Sequence, residues 1–225
     1  RETLADTHGV RDKCLVPVAG RPMIAHVLES AAASDAASIF VSTHHAALLD
    51  DLGDPVVERL GERLIVLPAA DNLADSVLAV ADRGTFPLLI ATADNCLLTP
   101  ETLFEIDGEA ERLGVRAGVA LARREDVLAV HPEGQRRFYE FSDVAVSNCN
   151  AYWVADRAAL KAAEAFRGGG QFVKKPIRII KAFGFVNLLR FRFGLGPIHH
   201  IFGRISRRLS VDVGPLLVSN GGTAI

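Results

Sequence analysis

The sequence predicts a three-layer α/β/α domain with a mixed, mainly parallel sheet, and three observations predict it. Across the first 125 residues, short apolar runs alternate with amphipathic, alanine-rich stretches, as βαβ units do. The apolar run at 87–93 is bounded by turn signals, which fits a strand buried on both faces. After Val130 the rhythm shifts to aromatic and β-branched segments that read as a pair of strands joined near Ser142 and Asp143, so the sheet is mixed.

Taken in order, residues 38–42, 63–67, 87–93 and 117–122 read as strands. Residues 22–33, 46–52, 72–82 and 100–113 carry apolar side chains at three- and four-residue spacing and read as helices. Right-handed crossovers place these helices on the two faces of one sheet. Residues 136–141 and 144–154 form the later strand pair. Asp156 then caps a helix running to residue 166, and Gly168, Gly169 and Gly170 break it. A second helical region spans 173–193, a Gly/Pro break at 194–197 precedes a short helix to residue 209, and 213–218 resembles a last strand. No internal repeat is evident, and the expectation is one domain over 1–225.

The chain has 225 residues, 49% of them hydrophobic, enough for a substantial core. A net charge of −2 gives no whole-molecule field for a nucleic-acid partner. The charge is unevenly spread: from Arg157 to Arg208 twelve Lys or Arg stand against one acid, Glu164, which marks 157–209 as a basic helical subregion. Its cations interleave with Phe183, Phe185, Phe191, Phe193 and Phe202. That composition suits a phosphate-binding cleft, or peripheral contact with an anionic membrane. Cys14, Cys96 and Cys149 show neither a zinc spacing nor a disulfide framework, so a reducing cytoplasm is expected. No signal-peptide pattern opens the chain and no apolar stretch reaches spanning length, so a soluble protein is expected. Both ends look cut, the first in polar residues and the second inside the apolar Thr223, Ala224 and Ile225.

Asp94 is the candidate metal ligand. It ends an apolar strand, where ligands bind in such sheets, and Thr99-Pro100-Glu101 already supplies the cap of the next helix. Lys13, ahead of Leu15-Val16-Pro17 and a Gly20-Arg21-Pro22 helix start, offers a fixed cation to a phosphate. Asn148 and Asn150 alternate with Cys149 on a strand and should share one face. Asn72 and Asp71 suit a helix cap as well as a ligand contact. Lys174 and Lys175 follow the triple glycine as possible phosphate cations. A metal role for the His44-His45 and His199-His200 pairs is declined, since adjacent histidines diverge on a helix and no paired carboxylate accompanies them.

The segment from Lys13 to Met23, Lys-x-Leu-x-Pro-Val-x-Gly-x-Pro-Met followed by Ile24, resembles nucleotidyltransferases of the GT-A-like fold. The similarity is greatest to the MobA-like branch, with its molybdenum-cofactor and adenosylcobinamide-phosphate guanylyltransferases. Asp94-Asn95-Cys96-Leu97-Leu98-Thr99-Pro100 resembles that family's metal-binding segment, with Cys96 where a proline is usual. The resemblance implies Mg²⁺ at Asp94, nucleotide phosphates at Lys13, and base or ribose contacts from Asn72 and Ser76. It further implies acceptor contacts from Asn148, Asn150 and Lys175, and a glycine-rich loop and a second acidic segment that lie outside this chain. The implied reaction transfers an NMP from an NTP, with GTP or CTP favoured, to a phosphorylated small-molecule acceptor and releases pyrophosphate. Two alternatives stay open: a non-catalytic nucleotide-binding or regulatory protein of the same fold, and a GT-A glycosyltransferase, whose usual Asp-x-Asp pair is missing at Asp94-Asn95-Cys96.

Overall fold

The computed structural model describes residues 4–134, 138–160 and 196–224. A one-turn helix α1 (Leu4–Thr7) and a 3₁₀ turn (Lys13–Leu15) lead into a small hairpin of β1 (Pro17–Val18) and β2 (Arg21–Pro22). Its two-residue loop puts Ala19 at φ 49° and Gly20 at φ 80°. That is the all-positive geometry of a tight hairpin turn, which glycine adopts freely and alanine does not.

The hairpin opens helix α2 (Met23–Ala32), followed by strand β3 (Ile39–Thr43), helices α3 (Leu48–Leu52) and α4 (Pro55–Leu60), and strand β4 (Leu64–Pro68). Strands β3 and β4 pair in parallel, with Thr43 opposite Pro68. Their core holds Ile24, Ala25, Leu28, Leu48, Leu52, Val56 and Leu60. Helix α4 lies outside the helices expected from residue spacing, although its start is written plainly: Pro55 takes the first turn and the Asp54 carboxylate accepts from Val56 N.

Helix α5 (Leu73–Ala81) leads to β5 (Leu88–Ala91), helix α6 (Pro100–Leu113), β6 (Ala117–Arg123) and helix α7 (Arg124–Val130). Then come β7 (Tyr139–Glu140), the long β8 (Ala145–Val154), a 3₁₀ turn (Arg157–Leu160), helix α8 (Ile198–Leu209), β9 (Val213–Val218) and a closing 3₁₀ turn (Gly221–Ala224). The main sheet runs β5-β8-β6-β9, with β7 also paired to β8. Strand β8 is antiparallel to β5 and β6, whereas β9 is parallel to β6, so the sheet is mixed as expected.

Two cores flank that sheet and make the three layers. On one face Ile106 and Ala110 of α6 and Val127 of α7 meet Ala120, Ala122, Cys149, Trp153, Leu216 and Val218. On the other, α8 supplies Ile198 and Ile201 against Leu121 and Val146, while α5 supplies Ala81 beside Leu88, Ala117 and Val154. Each large side chain fully buried here contributes about 1.5–3 kcal/mol. Gly221 permits one close approach: a Cβ there would stand 2.2 Å from the Asp126 carbonyl oxygen of α7.

Four expectations need correction. Strand β5 is not buried on both faces, because Leu89 is exposed; an apolar run marks a strand without saying how many layers cover it. Thr223 and Ala224 belong to no strand, since Gly221–Ala224 is a 3₁₀ turn whose Thr223 Oγ1 donates to Asn220 O. Asn148 and Asn150 do share one face, with Cys149 turned into the core, but the strand that carries them is not regular. Opposite Ala120 alone, β8 places Cys149, Asn150 and Ala151, and this bulge turns Asn150 to φ 51°. His45, finally, is accompanied by two carboxylates and sits in a loop, not on a helix.

The cap predicted at Asp156 forms, its Oδ1 accepting from Ala159 N. The helices predicted beyond residue 160 and up to 193, with Lys174 and Lys175, lie outside the described residues.

Candidate active site at the strand ends

Strands β5, β6 and β9 share one direction, so the loop after β5 and the bulge of β8 meet at the same edge of the sheet. The chain after β5 turns at once, with Asn95 N donating to Thr92 O and Leu98 N to Asn95 O. Three ties fix this loop from three elements: Asn95 Nδ2 donates to Cys149 O in the bulge at 2.8 Å, Ser30 Oγ of α2 donates to Leu98 O at 2.6 Å, and Asn220 Nδ2 donates to Leu97 O at 3.0 Å. Thr99 caps α6 as expected, accepting from Thr102 N, which leaves Asp94 out of the cap.

Asp94 meets Lys13 instead: Lys13 Nζ stands 2.5 Å from Asp94 Oδ2, across 81 residues of sequence. The two side chains are 59% and 33% exposed, so a ligand can reach both. Burial pushes the Asp94 carboxyl up, but hydrogen bonding from Lys13 and Thr92 and the Lys13 charge outweigh it and hold the group below its ordinary value. Thr92 Oγ1, near enough to aid that carboxylate, is buried without a well-formed hydrogen bond. Burial and the nearby Asp12 raise the Cys14 thiol, which keeps it protonated beside Lys13.

Among the described residues no group of three or more His, Cys, Asp or Glu converges as a metal site. Mg²⁺ arriving with a nucleotide asks for less, since one or two carboxylates suffice beside phosphate oxygens and waters. The partly exposed Asp94 carboxylate fits such a hard-oxygen set.

At the bulge Asn148 Nδ2 donates to Asn150 Oδ1 at 3.2 Å and to Tyr152 Oη at 3.3 Å, while Asn150 N donates to Asn148 Oδ1. The two amides therefore meet, through a bulge that alternation alone does not foresee. Asn150 and its amide are exposed at the same edge as Asp94, to which Asn95 couples the bulge.

Asn72 and Ser76 stand apart from this pair and hold their own loop. Asn72 caps α5, accepting from Asp75 N and donating to Asp75 Oδ2. Ser76 Oγ accepts from Ala70 N and donates to Asn72 O. The loop hangs on the end of β3, because Ala69 N donates to Thr43 O.

Sequence reasoning missed the supports of Lys13. Arg21 forks onto Asp54 with two 2.9 Å hydrogen bonds and reaches Glu29, pinning the hairpin that follows Lys13 to α4. Hydrogen bonding to that fork holds Asp54 below the usual carboxylate range although burial opposes it. Helix α8 buries Ile198 and Ile201, with Phe202 packed inward, and exposes His199, His200, Arg207 and Arg208.

A cation and a carboxylate meeting beyond the strand ends stand where open α/β sheets bind ligands, and the α/β/α layering is that of the GT-A-like fold. The chain belongs to the MobA-like NTP transferase family, whose domain model matches residues 7–177. Over 131 residues it is 36% identical to the bifunctional protein GlmU of Allorhizobium ampelinum, covering 54% of this chain and 25% of that protein. Over 100 residues it is 37% identical to GlmU of Rhodopseudomonas palustris, covering 40% of this chain and 20% of that one. The matched part thus spans a quarter or less of these relatives. A hypothetical transferase structure from Thermus thermophilus superposes with a TM-score of 0.80 at 22% identity, over 100% of this chain and 91% of the other. A CMP:2-keto-3-deoxy-manno-octonic acid synthetase complexed with CTP superposes at 0.55 and 13% identity, over 92% and 83%. No helix among the described residues is long and apolar enough to cross a membrane.

Proposed function

We propose that the protein transfers a nucleoside monophosphate from an NTP to a phosphorylated small molecule with Mg²⁺ assistance. One observation carries the reading: Lys13 and Asp94, remote in sequence, meet at 2.5 Å on the open edge of the sheet. An ammonium beside a carboxylate is the pair that a metal-bound polyphosphate can separate, the cation turning to phosphate oxygens and the carboxylate to the metal. An oxygen of the acceptor phosphate attacks the α-phosphorus, a new P–O bond forms, and the bond to the bridging β-oxygen breaks, so pyrophosphate leaves. Alignment and charge neutralisation do most of the work in such a displacement.

Lys13 neutralises the phosphates and Asp94 is the metal carboxylate. Mg²⁺, when bound there, would polarise the phosphoryl oxygens and offset charge on the leaving group. Asn148 and Asn150 hold the acceptor at the bulge, and Lys175 is assigned to the same acceptor. The loop from Asn72 to Ser76 approaches the base or ribose, with guanine or cytosine favoured. A cytoplasmic location accords with this chemistry.

The test is pyrophosphate release with each of the four NTPs and a panel of sugar and alcohol phosphates. Lys13→Ala is expected to lower kcat/KM about 100-fold. Nucleotide binding without any turnover would favour the regulatory alternative of the same fold. A second, separate proposal concerns the exposed cations of α8, which suit electrostatic contact with an anionic membrane. Sedimentation with anionic liposomes at low salt checks it, and no binding removes it.

A further inference from the structure

The loop after β3 carries a histidine that the reading above leaves unused. His45 is only 7% exposed, and both ring nitrogens face carboxylates: Nδ1 lies 2.8 Å from Asp12 Oδ2 and Nε2 lies 3.0 Å from Asp51 Oδ2. Its main chain is fixed as well, His45 N donating to Thr43 Oγ1 and His45 O accepting from Leu48 N. A ring held at both nitrogens and enclosed by protein has one orientation available.

Asp12 is the residue before Lys13. The two belong to one tight turn in which Leu15 N donates to Asp12 O and Val16 N donates to Lys13 O. From that turn Asp12 reaches back to His45 while Lys13 reaches across to Asp94. Lys13 has a flexible four-carbon stem and more than half of its side chain in solvent. Its ammonium can exchange Asp94 for a phosphate only by swinging about a fixed backbone, and the Lys13–Asp94 contact is lost at that moment. Another anchor must then hold the turn.

We propose that His45, clamped between Asp12 and Asp51, is the positioning residue of Lys13 and holds the phosphate-binding turn in place when Lys13 leaves Asp94 for an incoming nucleotide. This rests on the assignment of Lys13 to nucleotide phosphate. The coupling is physical and short: helix α3 carries Asp51, Asp51 and Asp12 fix the ring between them, and Asp12 fixes the next residue. A looser turn spreads the ammonium over more positions, so ordering it on binding costs more and affinity falls.

The experiment uses the whole chain, with His45→Ala, the near-isosteric Asp12→Asn, Lys13→Met and the double variant His45→Ala/Lys13→Met. Without nucleotide, hydrogen exchange at the amides of Leu15 and Val16 should quicken about tenfold in His45→Ala, while exchange in the sheet around Ala122 and Leu216 stays unchanged. Mg²⁺-NTP affinity by calorimetry should weaken about tenfold in His45→Ala and partly recover in His45→Gln, whose amide still donates one hydrogen bond to Asp12. The double variant should bind no more weakly than Lys13→Met alone, because His45 acts through Lys13. Full additivity of the two losses overturns the proposal, as does unchanged exchange at Leu15 and Val16. If His45→Ala fails to fold, Asp12→Asn carries the same three readouts. A wild-type chain that binds no NTP would remove the assignment of Lys13 to phosphate, and the exchange arm would still decide whether His45 holds the turn.

Discussion

The half of the molecule around β3 and β4 and the half built on β5-β8-β6-β9 are stabilised in different ways. The main sheet buries a dry core: Ile106, Ala120, Ala122, Val146, Cys149 and Leu216 have almost no exposure. Cys149 illustrates its dryness, because burial lifts its thiol to about 11 despite a hydrogen bond with Thr223. The other half has its own apolar cluster, but its working edge is tied by ion pairs: Arg21 with Asp54 and Glu29, Arg59 with Glu29, His45 with Asp12 and Asp51. Lys13 and Asp94 join the two halves. The contrast teaches that the densely packed sheet supplies the carboxylate and the bulge, while a turn tied by ion pairs supplies the cation that meets it.

The largest effect should come from breaking the dry half. Ile106→Ala, at a site with no exposure, is expected to cost about 3–4 kcal/mol of unfolding free energy, measured by denaturant titration. Breaking the tied half should cost less. Arg21→Ala leaves the buried Asp54 carboxylate without its fork and should destabilise by about 2 kcal/mol, read as a Tm fall of about 4–8 °C. An equal or larger loss than at Ile106 would erase the distinction between the halves. A smaller change sharpens it from the stabilising side: Ala19→Gly relieves φ 49° in the hairpin turn and should add about 0.5–1 kcal/mol, measured by thermal unfolding.

The weakest effect concerns pH. Asp94 titrates below its ordinary value near 3.8, so its contribution to stability is present above that value and fades as pH falls through the lowered one. For a partly exposed pair the total is under about 1 kcal/mol. The Tm advantage of wild type over Asp94→Asn should therefore hold from pH 6 to pH 5 and shrink toward pH 3.

Most elements were legible because local patterns coincide with the tertiary outcome. Thr99-Pro100 announced α6, and the strand pair after Val130 announced the mixed sheet. The short helices α4 and α7 offer too few turns for a clear apolar period, although Asp54-Pro55 carries a start signal for the first. The Asp94–Lys13 meeting was foreseeable only through the family resemblance, since nothing local links residues 81 apart. The convergence of Asp12, His45 and Asp51 is not legible, because it joins three separated segments and none forms a motif. The bulge at Asn150 was hidden for a related reason: strand alternation assumes matched strand lengths, and the two extra residues of β8 become visible only against β6.

The proposed function requires Asp94 and Lys13 to form a metal-assisted nucleotide site. The direct measurement is calorimetric titration of wild type and Asp94→Asn with each NTP, with and without Mg²⁺. Mg²⁺-enhanced binding of at least one NTP to wild type is expected, with loss of the enhancement in Asp94→Asn and the fold intact. Nucleotide binding of equal strength in both proteins, indifferent to Mg²⁺, would contradict it.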